Sequence, residues 1–481
     1  MITARRLMMP WARPCDLYSA PGRLIMKLAL GEAPEAIPSA IDVRLGATEH
    51  ATRVDGGPID RILKKFGGRI RVVRVHTAAA SLGQIGAGHQ GFDDLEHALG
   101  LSRTFRVDAN HNCCIEDLVE ALRQLDRVEQ SSPYYLCALP FLQPQTEAID
   151  SESAWLARDQ IRAAEAMAYE PGDPAVIVAI VDTGVAAEHP ELRGRLRSGF
   201  DTVELGMRDL ANGVQLLGDR SEADNDPEDE VGHGTSCAAI IGAVGEKIPP
   251  GLAGESGLLP IRVLGAAQVI GKNEPIGISA LSDIDFGVKS AIDLGATVIN
   301  MSFGTPESAL DEHDPQPHED VVRYGLARGC IMIAASGNSG QEERFSPASL
   351  QGVIAVGALD SEGRPAGFST RCEHVALCAP GERVVTAGLR GYQMVTGTSF
   401  AAPFVAAAAA LMVSRSRRRS YPFEAATVKR ILCQSARPWS RGMSAGCGVG
   451  ALDAHAALRM LDDEIDHSNR RQIKQDEFDF S

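Results

Sequence analysis

Gly397-Thr398-Ser399-Phe400-Ala401-Ala402-Pro403 runs into an alanine stretch that ends at Leu411. A Gly-Thr-Ser turn ahead of small apolar residues sets one hydroxyl at the start of a helix. There, free backbone N–H groups and the positive dipole end favour developing negative charge. A serine hydroxyl is a weak nucleophile and needs both a base and a carboxylate that orients the base. Candidates for both lie upstream. In Ala179-Ile180-Val181-Asp182-Thr183-Gly184 an acid closes an apolar run, a costly place for a carboxylate without hydrogen bonds. In Val231-Gly232-His233-Gly234-Thr235-Ser236-Cys237 an imidazole sits between glycines, just ahead of an apolar helix. Taken singly, each has a plain alternative: Ser399 as an N-cap, His233 as a structural histidine. Together they are the parts of an acyl transfer.

The elements that must carry them fall into two textures. From Trp155 onward, strand-like runs at 176–181, 258–264, 297–301, 330–335 and 352–356 alternate with helical stretches at 236–244, 278–294 and 320–328. This alternation predicts an α/β fold, a doubly wound, mainly parallel sheet with reacting groups at the carboxyl ends of its strands. Ahead of it, strands at 22–30, 69–76, 102–107 and 128–136 and helices at 58–66 and 115–125 follow the order β-α-β-β-α-β. That order suggests a small α+β ferredoxin-like domain, interrupted by a Gly-rich insertion at 78–91. The expected division is an irregular N-terminus (1–22), the small domain (23–140), a linker (141–153), the larger domain (154–460) and a polar C-terminal tail (461–481), disordered from 473 onward.

With Asp182, His233 and Ser399 in that order and in those local sequences, residues 155–458 resemble the subtilases, the subtilisin-like serine proteases. Residues 155–163 look like that family's opening segment, and Gly446-Cys447-Gly448-Val449-Gly450 like its closing motif. The resemblance implies a serine endopeptidase that forms an acyl-enzyme on Ser399. Asn338, in Ser336-Gly337-Asn338, would supply the oxyanion amide. Ser302, Phe303 and Gly304 would pair with a polypeptide substrate, with a second pairing strand near Pro275-Ile276-Gly277. Ala334, Ala335, Ser336 and Gly337, with Gly304, would line the specificity pocket, whose floor falls near Arg344-Phe345-Ser346-Pro347. Which of Phe345, Arg344 and Glu343 points inward stays open. The small domain resembles a subtilase propeptide, implying an intramolecular inhibitor of a zymogen; a permanent accessory domain is the alternative. Two other classes remain: a peptide ligase or macrocyclase using the same acyl-enzyme, and a catalytically silent binding module.

Bulk properties narrow the partners. A net charge of −16 argues against nucleic acid and anionic membranes, and no run reads as a membrane span. Pro10, Pro14 and Asp16 break any signal-peptide core, so a cytoplasmic protein is expected, with secretion by another route as the alternative. The ten cysteines lack metal spacing and read as mostly reduced thiols. The Arg415–Arg419 cluster reads as a solvated loop between helices. No metal ligand set and no required cofactor is expected. A structural calcium is left open, at Glu191, which matches a calcium-binding position of the family, or in the acidic run 224–230.

Overall fold

The computed structural model describes residues 18–479 except 33, 35, 80–90, 140–150, 207–213, 221–223, 270–273, 423 and 441–444. Most of the expected insertion and linker therefore lies outside the described residues.

The first part holds β1 (Tyr18–Leu28), α1 (Ala40–Arg44), α2 (Pro58–Ile62), β2 (Arg71–Arg74), α3 (Asp94–Ala98), β3 (Thr104–Asp108), α4 (Ile115–Arg123) and β4 (Val128–Ala138). Its strands are all antiparallel, in the order β2-β3-β1-β4. Ile115, Leu118, Val119 and Leu122 of α4, at helical spacing, are buried in one cluster with Leu24, Met26 and Val107. The first strand starts at Tyr18 rather than residue 22. The β1–β4 register slips between Ser19 and Leu24, and Gly22 bends there with φ of 72°.

The second part opens with α5 (Ser151–Asp159), α6 (Ala163–Tyr169), β5 (Ile177–Asp182), β6 (Phe200–Asp201), β7 (Val214–Leu216), α7 (His233–Gly242), β8 (Gly257–Arg262), β9 (Gly265–Val269) and β10 (Ile276–Ala280). It continues with α8 (Leu281–Asp293), β11 (Val298–Met301), β12 (Thr305–Pro306), α9 (Glu319–Ala327), β13 (Ile331–Ala335), β14 (Phe345–Ser346), β15 (Ile354–Leu359) and β16 (Val375–Pro380). The hairpin β17 (Val384–Gly388) and β18 (Gly391–Val395), then α10 (Thr398–Arg418), α11 (Ala425–Ser435), β19 (Arg437–Pro438), β20 (Gly450–Ala451) and α12 (Ala454–Asp479), complete it.

The central sheet runs β6-β8-β5-β11-β13-β15-β16-β20-β19 and is parallel apart from the last pair. Alternate residues serve opposite faces. Val178, Ile180 and Ile333 join a core with α7 and α10, while Ala179, Val181 and Met332 join one with α8 and α9. Strand order reverses at β5 and β11, so their carboxyl ends, Asp182 and Ser302, flank the crevice where ligands of such sheets bind.

Four expectations need correction. Residues 278–280 are strand, not helix, because β10 pairs with both β9 and β4. Residues 473–479 are helical, as part of α12, and the expected tail is no tail at its start: Leu461 and Ile465 are fully buried. Arg415–Arg419 is the end of α10 rather than a solvated loop. Arg415 and Arg419 reach Asp462, and Arg418 reaches Glu170, at 2.6–3.1 Å. Finally, α10 is long and apolar enough for a membrane span by length and composition, with a mean hydropathy of 1.3, yet 94% of that window is buried in the protein. Nine cysteines among the described residues are free thiols.

Candidate functional site

Asp182 ends β5 fully buried, and its Oδ1 accepts the Thr183 N–H at 2.8 Å. The N-terminus of α7 packs onto this turn so closely that a Cβ on Gly234 would lie 2.1 Å from the Gly184 oxygen. Any side chain there would push the helix off. Gly234 N–H instead donates to Thr183 Oγ1 at 2.9 Å, which locks His233 in place. His233 Nδ1 then meets Asp182 Oδ1 at 2.7 Å. Burial disfavours the imidazolium, but the Asp182 charge and hydrogen bond outweigh it, and His233 is raised above its ordinary 6.5.

Ser399 stands in the first turn of α10, 3% exposed. Its Oγ donates to the Ser302 carbonyl at 3.1 Å, and its own carbonyl accepts from Ser302 Oγ at 2.7 Å. The His233 ring lies 5.2 Å from that of Phe400, the next residue along, so the strand-end pair and the helix-start serine are neighbours. Asn338 Oδ1 accepts from Thr398 N–H at 2.8 Å and from Thr398 Oγ1 at 2.9 Å. With its oxygen held this way, the amide is oriented and its NH2 group faces the other way.

Beside Ser399 a cavity of about 240 Å³ is lined by Ser302, Phe303, Gly304, Ala335, Gly337 and Asn338 among others. Ala334 and Ser336 do not line it: strand alternation turns both inward, fully buried. Phe345 forms a wall against Gly337, whose φ of 108° and 2.7 Å clearance to the ring leave no room for a side chain. The edge of β10 is taken by the chain's own β4: Ile278 pairs with Ala138, Ser279 with Cys137, and Leu139 N–H donates to the Gly277 oxygen at 2.8 Å.

Three contributors were missed in the sequence. Thr398 aims Asn338. Asp229, buried, accepts from the backbone N–H groups of Val231, Gly232 and Thr235 and from the Thr235 hydroxyl at 2.6–2.9 Å, capping the start of α7. Its position six residues ahead of Thr235 was the available signal. Cys237, one turn beyond His233, places Sγ 3.4 Å from the Ser399 oxygen.

Two places bear on metals. Asp182, His233 and Cys237 offer ligand atoms within 4.8 Å of one another. However, Nδ1 is spent on Asp182, and burial pushes the thiol well up, so it stays protonated. Glu191 is fully buried, with both carboxylate oxygens taken by the backbone N–H groups of Gly245, Glu246, Lys247 and Ile248 at 2.7–3.2 Å. Burial would raise this carboxyl, yet the N–H groups hold it below the usual range. Donors converge where a cation's oxygen ligands would have to stand, so this loop does not fit calcium.

The sheet and the site define the class, a subtilisin-like serine protease, which is a hydrolase. The chain belongs to the subtilase family, whose model matches residues 173–464. Thermophilic serine proteinase of Bacillus sp. (strain AK1) is 36% identical over 242 residues, 50% of this chain and 52% of its own length. Thermitase of Thermoactinomyces vulgaris is 32% identical over 267 residues, 54% of this chain and 82% of its own. Among solved structures, prenylagaramide maturation protease PagA matches at TM-score 0.50 and 27% identity, over 62% of this chain and 98% of that one. The match thus spans about half the length of the first of these relatives and most of the other two.

Proposed function

We propose that the protein is a serine endopeptidase that works through an acyl-enzyme on Ser399. The observation that carries this reading is the 2.7 Å His233–Asp182 hydrogen bond beside a serine at a helix start. The steps are those established for subtilisins. Ser399 Oγ attacks the scissile carbonyl carbon while His233 Nε2 takes its proton. Asp182 holds the imidazole in the tautomer that leaves Nε2 free to accept, and stabilises the imidazolium that forms. The oxyanion is met by the Asn338 amide and the Ser399 backbone N–H. His233 then gives the proton to the leaving amine as the C–N bond breaks. Water, deprotonated by His233, cleaves the ester.

The reading extends to the N-terminal part. Residues 23–140 form a ferredoxin-like, propeptide-type domain, and 154–460 form the catalytic domain. The antiparallel order β2-β3-β1-β4 supports the comparison. Pairing of β4 with β10 supports inhibition, because a substrate adding as a strand would need that edge. Tyr134 to Asp283 at 3.0 Å, Lys27 to Asp320 at 2.9 Å and the buried Lys289–Glu96 pair at 2.6 Å hold this part onto α8 and α9.

Fluorophosphonate labelling tests the chemistry. Wild type should be labelled on Ser399 and should cleave peptides, whereas Ser399→Ala should do neither. A folded wild type that is neither labelled nor active, even after limited proteolysis has released the N-terminal part, would overturn the reading.

A further inference from the structure

The pocket beside Ser399 is apolar over most of its wall, through Phe303, Pro306, Ala335 and Phe345, and among the described residues Glu343 is the one charged residue that lines it. The loop 343–345 decides its character. Arg344 is turned away, its guanidinium 3.1 Å from Glu307 and 3.6 Å from Glu373. Phe345 is spent as the wall over Gly337. Glu343 is half-buried, and its Oε1 accepts from the neutral Ser308 hydroxyl at 2.9 Å. Among the described residues, no Lys, Arg or His side chain pairs with it. A carboxylate partly withdrawn from water, with no cation beside it, gains from a cation brought to it.

We infer that Glu343 makes this pocket select a lysine or arginine side chain on the residue that contributes the scissile carbonyl. This rests on the endopeptidase reading and adds its substrate class. The aliphatic stem lies along the apolar wall while the charged head meets the carboxylate. The Phe345 ring gives a guanidinium a face to rest against. Glu307, the nearby alternative acid, is already matched by Arg344 and does not compete.

The test is kcat/KM of the full-length protein on peptides that differ only at that residue: Lys, Arg, Leu, Phe, Ala and Asp. Wild type should favour Lys and Arg over Leu. Glu343→Gln should lower that ratio roughly tenfold, the scale of one partly desolvated charge pair. Glu343→Lys should turn preference toward Asp. High salt should weaken the preference for Lys and Arg in the wild type. A wild type that favours Leu, Phe or Ala, or a Glu343→Gln variant that keeps the wild-type ratio, overturns the inference while leaving the endopeptidase reading intact. Turnover of none of the peptides, together with no fluorophosphonate labelling, after limited proteolysis has released the N-terminal part, overturns both.

Discussion

Ser399 Oγ hydrogen-bonds the carbonyl oxygen of Ser302 at 3.1 Å, while His233 Nε2 has no hydrogen-bond partner among the described residues. The hydroxyl therefore rests on the end of β11 instead of on the imidazole. Attack requires it to turn toward Nε2, a tightening common when a site free of substrate becomes occupied.

The pH dependence follows from His233. As a base it must be neutral, and Asp182 holds it above its ordinary 6.5. The acid limb of kcat/KM should therefore lie above that value. Asp182→Asn removes the charge that raises it, so the limb should move down. The rate should fall roughly ten-thousandfold, the scale known for the equivalent change in another serine protease. The same pair contributes stability that is fully present below the unfolded imidazole value and is lost as pH rises through the raised one. A pH–rate profile and thermal melts from pH 5 to 9 check both; an unmoved limb in Asp182→Asn would count against Asp182 as its partner.

Asn338→Ala should lower kcat and leave KM nearly unchanged, because the amide acts on charge present only in the transition state. The expected loss is about 3 kcal/mol, the value established for subtilisin rather than one drawn from this geometry. Thr398→Val should show a smaller loss of the same kind, since it removes one of the two bonds that aim Asn338. Steady-state kinetics on one peptide series decides between this pattern and a change in KM.

Glu191 should tie down the loop 245–248 without a cation. Glu191→Ala leaves the backbone N–H groups of Gly245, Glu246, Lys247 and the buried Ile248 without their acceptor and should cost about 3 kcal/mol. Its lowered carboxyl contributes stability present above the ordinary 4.5 and lost as pH falls through the lowered value. EDTA should leave the wild-type Tm unchanged if this is the family's calcium position. Melting curves with and without chelator measure it, and a fall in Tm would mean that calcium is held elsewhere.

Asp314 receives Arg123 at 3.0 Å and the Tyr135 hydroxyl at 2.8 Å, both from the N-terminal part. Replacing them together (Arg123→Ala with Tyr135→Phe) should loosen β4 from β10 and raise the basal rate on short peptides several-fold. Each lost bond contributes about 1 kcal/mol. An unaltered basal rate would favour a permanent accessory domain over an inhibitor.

The candidate residues Asp182, His233, Ser399 and Asn338 could be picked out of the sequence because each stands in a short segment whose turn chemistry is local: glycines at close approaches, an acid after an apolar run, a serine ahead of alanines. Strand and helix periodicity likewise foretold the parallel sheet, since alternation and helical spacing depend on near neighbours. Only the folded chain decided which of Glu343, Arg344 and Phe345 lines the pocket, that Glu191 faces N–H donors, and that β10 is already paired. Those outcomes join residues from about 40 to 140 positions apart. Partner choice at such separation is set by how whole elements pack, which local periodicity does not encode.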